Sequence, residues 1–303
     1  MTLLVTDPLY LEHSAPGHVE SPERVTAILD HFKAKGLLER LTPLAARDAT
    51  VEEIALMHGR SYIEVVREVS ARGGGWFDSD TYLNGRSFAA AVRAVGGVLA
   101  AVEALRDGRD RTALCLVRPP GHHALPERGM GFCLFNNVAI AARFLKRRVL
   151  IVDWDVHHGN GTQEMVEDDL SIWYLSTHRF PFYPGTGWEQ EHGLGNVINI
   201  PLSGQTSRPV FLQKFADAVR RAAAEFKPDF LLVSCGFDAY EDDPIGGLNL
   251  KPEDYRTMTD VVCSLGIPVA SALEGGYSLT GLGPCAEQHA LGLLSAPQSS
   301  AGP

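Results

Sequence analysis

Cysteine is scarce and never spaced Cys-x-x-Cys: Cys115, Cys133, Cys235, Cys263 and Cys285 are odd in number and mostly sit inside apolar runs. This excludes a disulfide framework and a cysteine-rich zinc module, and it predicts buried thiols in a reducing compartment. No apolar run approaches membrane-spanning length, and the N-terminus carries Asp7 and Glu12 with no basic segment leading a long apolar one. No membrane partner is expected, and the cytoplasm is the expected location. Positive charge is in deficit: 27 Lys+Arg against 37 Asp+Glu give a formal net charge of -10, with no Lys/Arg-rich stripe. Nucleic acid is therefore not an expected partner. A Ser or Cys nucleophile in a recognisable elbow is missing, which argues against a covalent acyl route. There is no internal repeat and no linker. The 45% hydrophobic and 21% charged content over 303 residues is that of an ordinary globular domain able to bury a sizeable core.

Short apolar runs alternate with helical stretches. Strands are expected at 3–5, 112–117, 149–152, 172–175, 197–200, 230–233 and 268–273, and helices at 87–105, 137–145, 161–166, 207–225, 252–265 and 279–294. Ser21 as cap with Pro22 at the first helical position opens a further helix to about Lys35. Thr50-x-x-Glu53 and Ser61-x-x-Glu64 read as two capping boxes. The loop from Gly73 to Asp80, flexible, acidic and aromatic, is either a pocket rim or a plain helix connection. The pattern predicts one doubly wound α/β domain with a mainly parallel sheet over 1–295, followed by a disordered small-residue tail at 296–303.

The chemistry gathers where strands end. Val149-Leu-Ile-Val-Asp153-Trp-Asp155-Val-His157 is a buried strand running into metal-ligand side chains. In extended backbone Asp153, Asp155 and His157 project to one side while Trp154 and Val156 point to the other, which suggests a cation site. Alone, such a run is more often a hydrogen-bonded loop pair. Three other strands also end in polar clusters, however, and ligands of open parallel sheets bind outside the carboxyl ends of the strands. The 112–117 strand runs into Arg118-Pro-Pro-Gly-His122-His123, a stiff turn presenting two imidazoles suited to acid and base work. The 230–233 strand leads to Asp238, a ligand or a helix cap, and the 268–273 strand to Glu274-Gly275-Gly276-Tyr277, where glycines permit close backbone approach beside a phenol. Together these groups can bind a divalent ion, lower the pKa of its water, move a proton and stabilise an oxyanion, the requirements for hydrolysing an amide.

These blocks, with Gly131-Phe132-Cys133, Asn160 and Tyr183-Pro-Gly-Thr-Gly, resemble in order and spacing the signature motifs of the zinc-dependent histone deacetylase superfamily, from about His13 to Leu282. The Arg-Pro-Pro and Asn160 variants are more similar to the class II and bacterial amidohydrolase branch than to class I. The resemblance implies the arginase/deacetylase fold and the removal of acetyl or other acyl groups from acylated lysine or a similar amine by metal-activated water. It implies Asp155, His157 and Asp238 as zinc ligands, with Fe2+ or Co2+ also able to serve such a set. His123 would be the general base and acid, His122 its electrostatic partner paired with Asp153, Asn160 the residue orienting His123, and Tyr277 the oxyanion donor. Gly131, Phe132, Tyr183, Ile245 and Gly275 would contact substrate, and Asp153, Asp155, His157, Ser176 and Thr177 would hold a structural K+. His158 is read as structural. Either Asp78 or Asp80 matches the rim aspartate that clamps substrate, and hydroxamate-type inhibitors are expected to bind. Ile245 stands where polyamine-preferring relatives carry glutamate, which favours acetyl-lysine peptides or small acetylated amines with neutral tails. An acetylpolyamine deacetylase and a catalytically silent acyl-binding or scaffold protein remain as alternatives; an arginase-like two-metal site would need further ligands.

Overall fold

The computed structural model describes residues 1–296, so the expected tail lies, from 297 onward, outside the described residues. In chain order the elements are β1 (Thr2–Val5), α1 (Glu23–Ala34), β2 (Leu41–Leu44), α2 (Val51–Ile54), α3 (Arg60–Ala71), β3 (Gly74–Trp76), β4 (Tyr82–Asn84), α4 (Ser87–Arg106), β5 (Thr112–Cys115) and α5 (Asn137–Leu145). They continue with β6 (Val149–Asp153), α6 (Asn160–Val166), β7 (Ile172–Arg179), β8 (Val197–Leu202), α7 (Arg208–Phe226), β9 (Phe230–Cys235), α8 (Pro252–Cys263), β10 (Val269–Leu273) and α9 (Leu279–Leu294). Eight strands form one sheet in the order β2-β1-β5-β10-β9-β6-β7-β8, every pairing parallel, and β3 and β4 make a separate antiparallel hairpin.

Alternation along each strand feeds two apolar layers. Val5, Cys115, Ile151 and Leu232 pack toward α3, α4 and α5, whereas Leu4, Leu114, Val152 and Val233 pack toward α1, α7, α8 and α9. The strands are therefore apolar on both faces, as buried parallel strands must be. Val149, Leu150, Ile151 and Val152 are all 0% exposed; at roughly 1.5–3 kcal/mol per buried side chain they hold β6 in the middle of the sheet. The doubly wound, parallel reading is borne out.

The differences have local causes. Contrary to the reading of apolar runs, α4 is long and apolar enough by composition to cross a membrane, with mean hydropathy 1.7, and 67% of that stretch is buried. It is apolar because thirteen of its residues are buried, nine of them in the core layer beside the sheet. Thr50 and Glu53 do form a capping box, but on a four-residue helix. Ser61 caps nothing: α3 starts from Gly59, and Ser61 Oγ donates to Glu127. The N-cap of α1 is Pro22, one residue beyond the expected Ser21. The loop from Gly73 to Asp80 belongs to the β3–β4 hairpin.

The topology positions the site. β5, β10, β9 and β6 are consecutive neighbours in the sheet, and the four polar clusters follow their carboxyl ends side by side.

Candidate metal centre and active site

The extended backbone of β6 ends at Asp153, and Asp155, Val156 and His157 lie in a bend. Strict alternation therefore fails beyond Asp153, which stands outside the ligand group and serves as an acceptor. Its Oδ2 lies 3.1 Å from His122 Nδ1 and takes the Tyr174 hydroxyl at 3.0 Å, while Oδ1 takes the Asp155 amide at 3.1 Å. The bend instead brings Asp155 and His157 to Asp238, with ligand atoms of all three within 4.8 Å of one another and all three residues buried. His157 Nδ1 lies 3.1 Å from Asp155 Oδ1 and 3.2 Å from Asp238 Oδ2. Backbone amides fix the carboxylates: Asp155 accepts from His157 and Gly275 at 2.9 and 2.7 Å, and Asp238 accepts from Val156 at 2.8 Å. A Cβ on Gly275 would collide with both carboxylates, so Gly275 backs the ligand set.

The electrostatics fit a divalent cation. Burial, and then the facing charge of Asp155, push Asp238 up to about 7. Burial opposes a charge on His157, but hydrogen bonds to Asp155 and Asp238 raise it to about 9. Two buried carboxylates face one another here, a costly arrangement unless a cation sits between them. Two carboxylate oxygens and one imidazole nitrogen, with a cavity on the open side, are a donor set that zinc, iron(II) or cobalt(II) accepts.

The two imidazoles after β5 have opposite characters. His122 is driven up to about 10, because Asp155 and Asp153 outweigh the burial that disfavours its charge. His123 is held well below its ordinary value by burial and by the charge of His122. Its Nδ1 lies 2.7 Å from Asn160 Oδ1, so Nδ1 carries the proton and Nε2 keeps a free lone pair. One neutral imidazole beside one charged imidazole is an acid/base pair separated by environment. Glu274 fixes the turn beneath them, taking the Gly121 and His122 amides at 2.7 and 3.1 Å, and burial raises its own carboxyl to about 7.

His123, His157 and Tyr277 share a cavity of about 230 Å³. Its walls are aromatic: Phe132 meets Tyr277 edge-on at 5.7 Å, Tyr183 meets His123 edge-on at 5.1 Å, and Phe182 stacks on His157 at 5.2 Å. Gly131, at φ +55°, also lines the cavity, and a Cβ there would meet the His123 ring. Ile245 and Asp80 complete the lining. Of the two rim aspartates, Asp80 reaches the cavity, while Asp78 is spent on the amides of Asp80 and Thr81. A larger cleft of 620 Å³ bordered by Arg148, Ser171 and Asp229 lies at the opposite ends of the strands, away from this chemistry.

Of the potassium set, Ser176 pairs with Asp153 across β6 and β7, and Thr177 Oγ1 is buried with no partner among the described residues. His158 is bound to Thr186 and Gln163, consistent with a structural role. Sequence reasoning missed Phe182, which only folding lays on His157. It also missed a buried network: Glu20 Oε1 takes Arg24 and Arg118 at 2.8 and 2.5 Å, and Arg24 in turn donates to the carbonyls of Gly276 and Glu274. Arg24 lies 4.8 Å from the Tyr277 ring centroid.

The model of the histone deacetylase domain matches residues 18–293. The chain belongs to the histone deacetylase family. It is 39% identical over 292 residues to an uncharacterized Synechocystis protein, slr0245, covering 93% of this chain and 96% of that one. It is 40% identical to histone deacetylase 15 of Arabidopsis thaliana and 39% identical to human polyamine deacetylase HDAC10, matching 88% and 87% of this chain. The chain spans only about half of the plant enzyme and 43% of the human one. The crystal structure of the HDA15 HD domain superposes with a TM-score of 0.93 at 37% identity, covering 99% of this chain and 90% of that one. The expected family and the expected α/β fold both stand, and the chain is a hydrolase of the histone deacetylase family.

Proposed function

We propose that the protein is a zinc-dependent amide hydrolase that removes acetyl, or another small acyl group, from acylated lysine or a similar amine. The observation that carries this reading is the convergence, at one aromatic-walled cavity, of the Asp155–His157–Asp238 set, a neutral His123 and Tyr277. Asp155, His157 and Asp238 would hold the ion, which when bound supplies Lewis acidity toward the amide oxygen and toward water. His123 takes the proton of the attacking water at Nε2 and returns it to the departing amine, with Asn160 keeping the ring in the required tautomer. His122, charged and held by Asp153, opposes a positive charge on His123 until negative charge develops nearby. Tyr277 donates its hydroxyl to the oxygen that becomes the oxyanion. Phe132 and Tyr183 flank an alkyl chain and exclude water, Asp80 clamps substrate at the mouth, and hydroxamates would bind in the same cavity. The unpartnered Thr177 hydroxyl and the Asp153–Ser176 pairing support a K+ site formed with Asp155 and His157. The five buried free thiols suit a reducing compartment, and we place the protein in the cytoplasm.

The human relative's name raises a second reading, an acetylpolyamine deacetylase. Against it stands the apolar Ile245 in the cavity lining. Of the carboxylates flanking Ile245 in sequence, Glu241 is occupied by Lys251 Nζ at 2.6 Å and Asp243 by four backbone amides, which leaves Asp80 as the acid in the lining. The test is a kinetic panel of acetyl-lysine peptides, longer acyl-lysines and acetylated polyamines with the zinc-loaded protein. Turnover of acetyl-lysine peptides with the highest kcat/KM is expected. Binding of these substrates without turnover of any would instead identify a silent acyl-binding protein.

A further inference from the structure

Asp243 touches neither the cavity nor the ligand set, yet it holds both of the loops that finish the cavity. Its Oδ1 accepts the amides of Ile245 and Gly246, each at 3.1 Å. Its Oδ2 accepts the amides of Tyr277 and Ser278 at 2.6 and 3.1 Å. One loop carries the phenol and the other carries the side chain that the substrate tail meets, and both Tyr277 and Ile245 line the same cavity. Arg24 grips the far side of the Tyr277 loop through the carbonyls of Gly276 and Glu274 and lies 4.8 Å from the Tyr277 ring centroid, but it takes none of the loop's amides. The amides of Tyr277 and Ser278 depend on Asp243.

We propose that Asp243 is a positioning residue that sets, through backbone amides alone, where the Tyr277 hydroxyl stands relative to the Ile245 wall. All four partners are donors, so the group must be acceptor-only on both oxygens, a condition an ionised carboxylate meets and a side-chain amide does not. Asparagine is the same size, but it can serve one loop only by turning its NH2 against the amides of the other. As it exchanges between the two orientations, each loop is unpaired for part of the time. Oxyanion donation and tail selection are then linked through one carboxylate, and a displacement of one loop is felt by the other.

The inference builds on the proposed function, so the first test needs no turnover. In Asp243→Asn, hydrogen exchange at the amides of 245–246 and of 277–278 is expected to accelerate at least about tenfold in both loops, with β10 unchanged; unchanged exchange in either loop overturns the proposal. The second test is a double-mutant cycle. Asp243→Asn should lower kcat on an acetyl-lysine peptide by about 10- to 100-fold, the range expected from misplacing a reacting group by an ångström, with KM within about threefold. In the Tyr277→Phe background the same change should cost less than about threefold. Equal losses in both backgrounds would mean a merely structural role and would overturn the proposal. A wild-type protein inert on every acylated substrate would defeat the functional reading, while the exchange measurement would still decide on Asp243.

Discussion

Replacing Ile245 by glutamate should convert the selectivity of the cavity. Ile245 is half-buried at the mouth, among the residues that a substrate tail passes. Two unit charges about 4 Å apart attract by about 1 kcal/mol in bulk water and by about 4 kcal/mol at the effective dielectric of a protein surface. A position open to solvent on one side belongs between these limits, at about 2 kcal/mol, or roughly a 30-fold preference for a dicationic tail over a neutral one. Competing acids are few: Glu241 is paired with Lys251, Asp242 accepts the Tyr240 hydroxyl, and only Asp80 shares the cavity lining. The assay is kcat/KM for an acetyl-lysine peptide and for acetylspermidine, in wild type and Ile245→Glu, at low and high salt. The wild type should favour the peptide, and the variant should move the ratio roughly 30-fold toward the polyamine, by less at high salt because exposed charges are screened within a Debye length. A wild-type preference for acetylspermidine of about tenfold or more, or a variant ratio moved by less than about threefold, would refute the argument and transfer the selection to Asp80.

Tyr277→Phe should lower kcat by roughly 100-fold or more with metal content unchanged, as when an oxyanion donor is removed; near-wild-type kcat would make the hydroxyl structural. Asp155→Ala and Asp238→Ala should each abolish zinc binding, measured by calorimetry, together with activity, and a variant that keeps both would remove that residue from the ligand set. His58 supplies a pH-dependent prediction. Burial holds His58 down to about 4 against the Pro126 and Leu125 carbonyls, and the Asn136 amide donates to its Nε2 at 2.9 Å, so protonation would also set donor against donor. Its folded pKa lies below its unfolded value of about 6.5, so its stabilisation is complete above that value and is lost as the pH falls toward 4. The difference in unfolding free energy between wild type and His58→Gln should shrink by about 2 kcal/mol between about pH 7.5 and pH 5, read from urea curves. A difference that does not change with pH would show that the ring titrates normally.

Much of the site was legible because each chemical group stands immediately after an apolar run, and parallel topology brings strand ends together. Position alone drew attention to Asp155, His157, Asp238, His122, His123 and Tyr277; it left Asp238 open between ligand and helix cap, and the individual roles came from the resemblance of the motifs. Groups whose partners are backbone atoms or distant side chains left no local trace. Asp243 bonds amides up to 35 positions away, and Glu20 meets Arg118 across 98. Phe182 carries no motif of its own, and only the fold lays it flat on His157. Boundaries slipped for related reasons. β7 was expected to stop at Leu175 because Ser176, Thr177 and His178 are polar, yet they continue the ladder beside β8. β2 carries Pro43, which is tolerated because β2 is an edge strand. Glu64 looked like a capping-box partner, but spacing alone does not place a serine at a helix start.

β10, the last of the described strands, sits in the middle of the sheet. Until β10 enters between β5 and β9, both neighbours present bare, apolar ladder edges, the kind that recruit other chains. A polypeptide cut before residue 269 lacks a central plank, not a fringe. The same cut removes the Gly275 amide from Asp155 and the Glu274 carboxylate from the His122 turn. Solubility and activity should therefore appear together, only once the residues through β10 and the loop after it have been made and the two halves of the sheet close over that strand. A C-terminal truncation that loses one should lose the other.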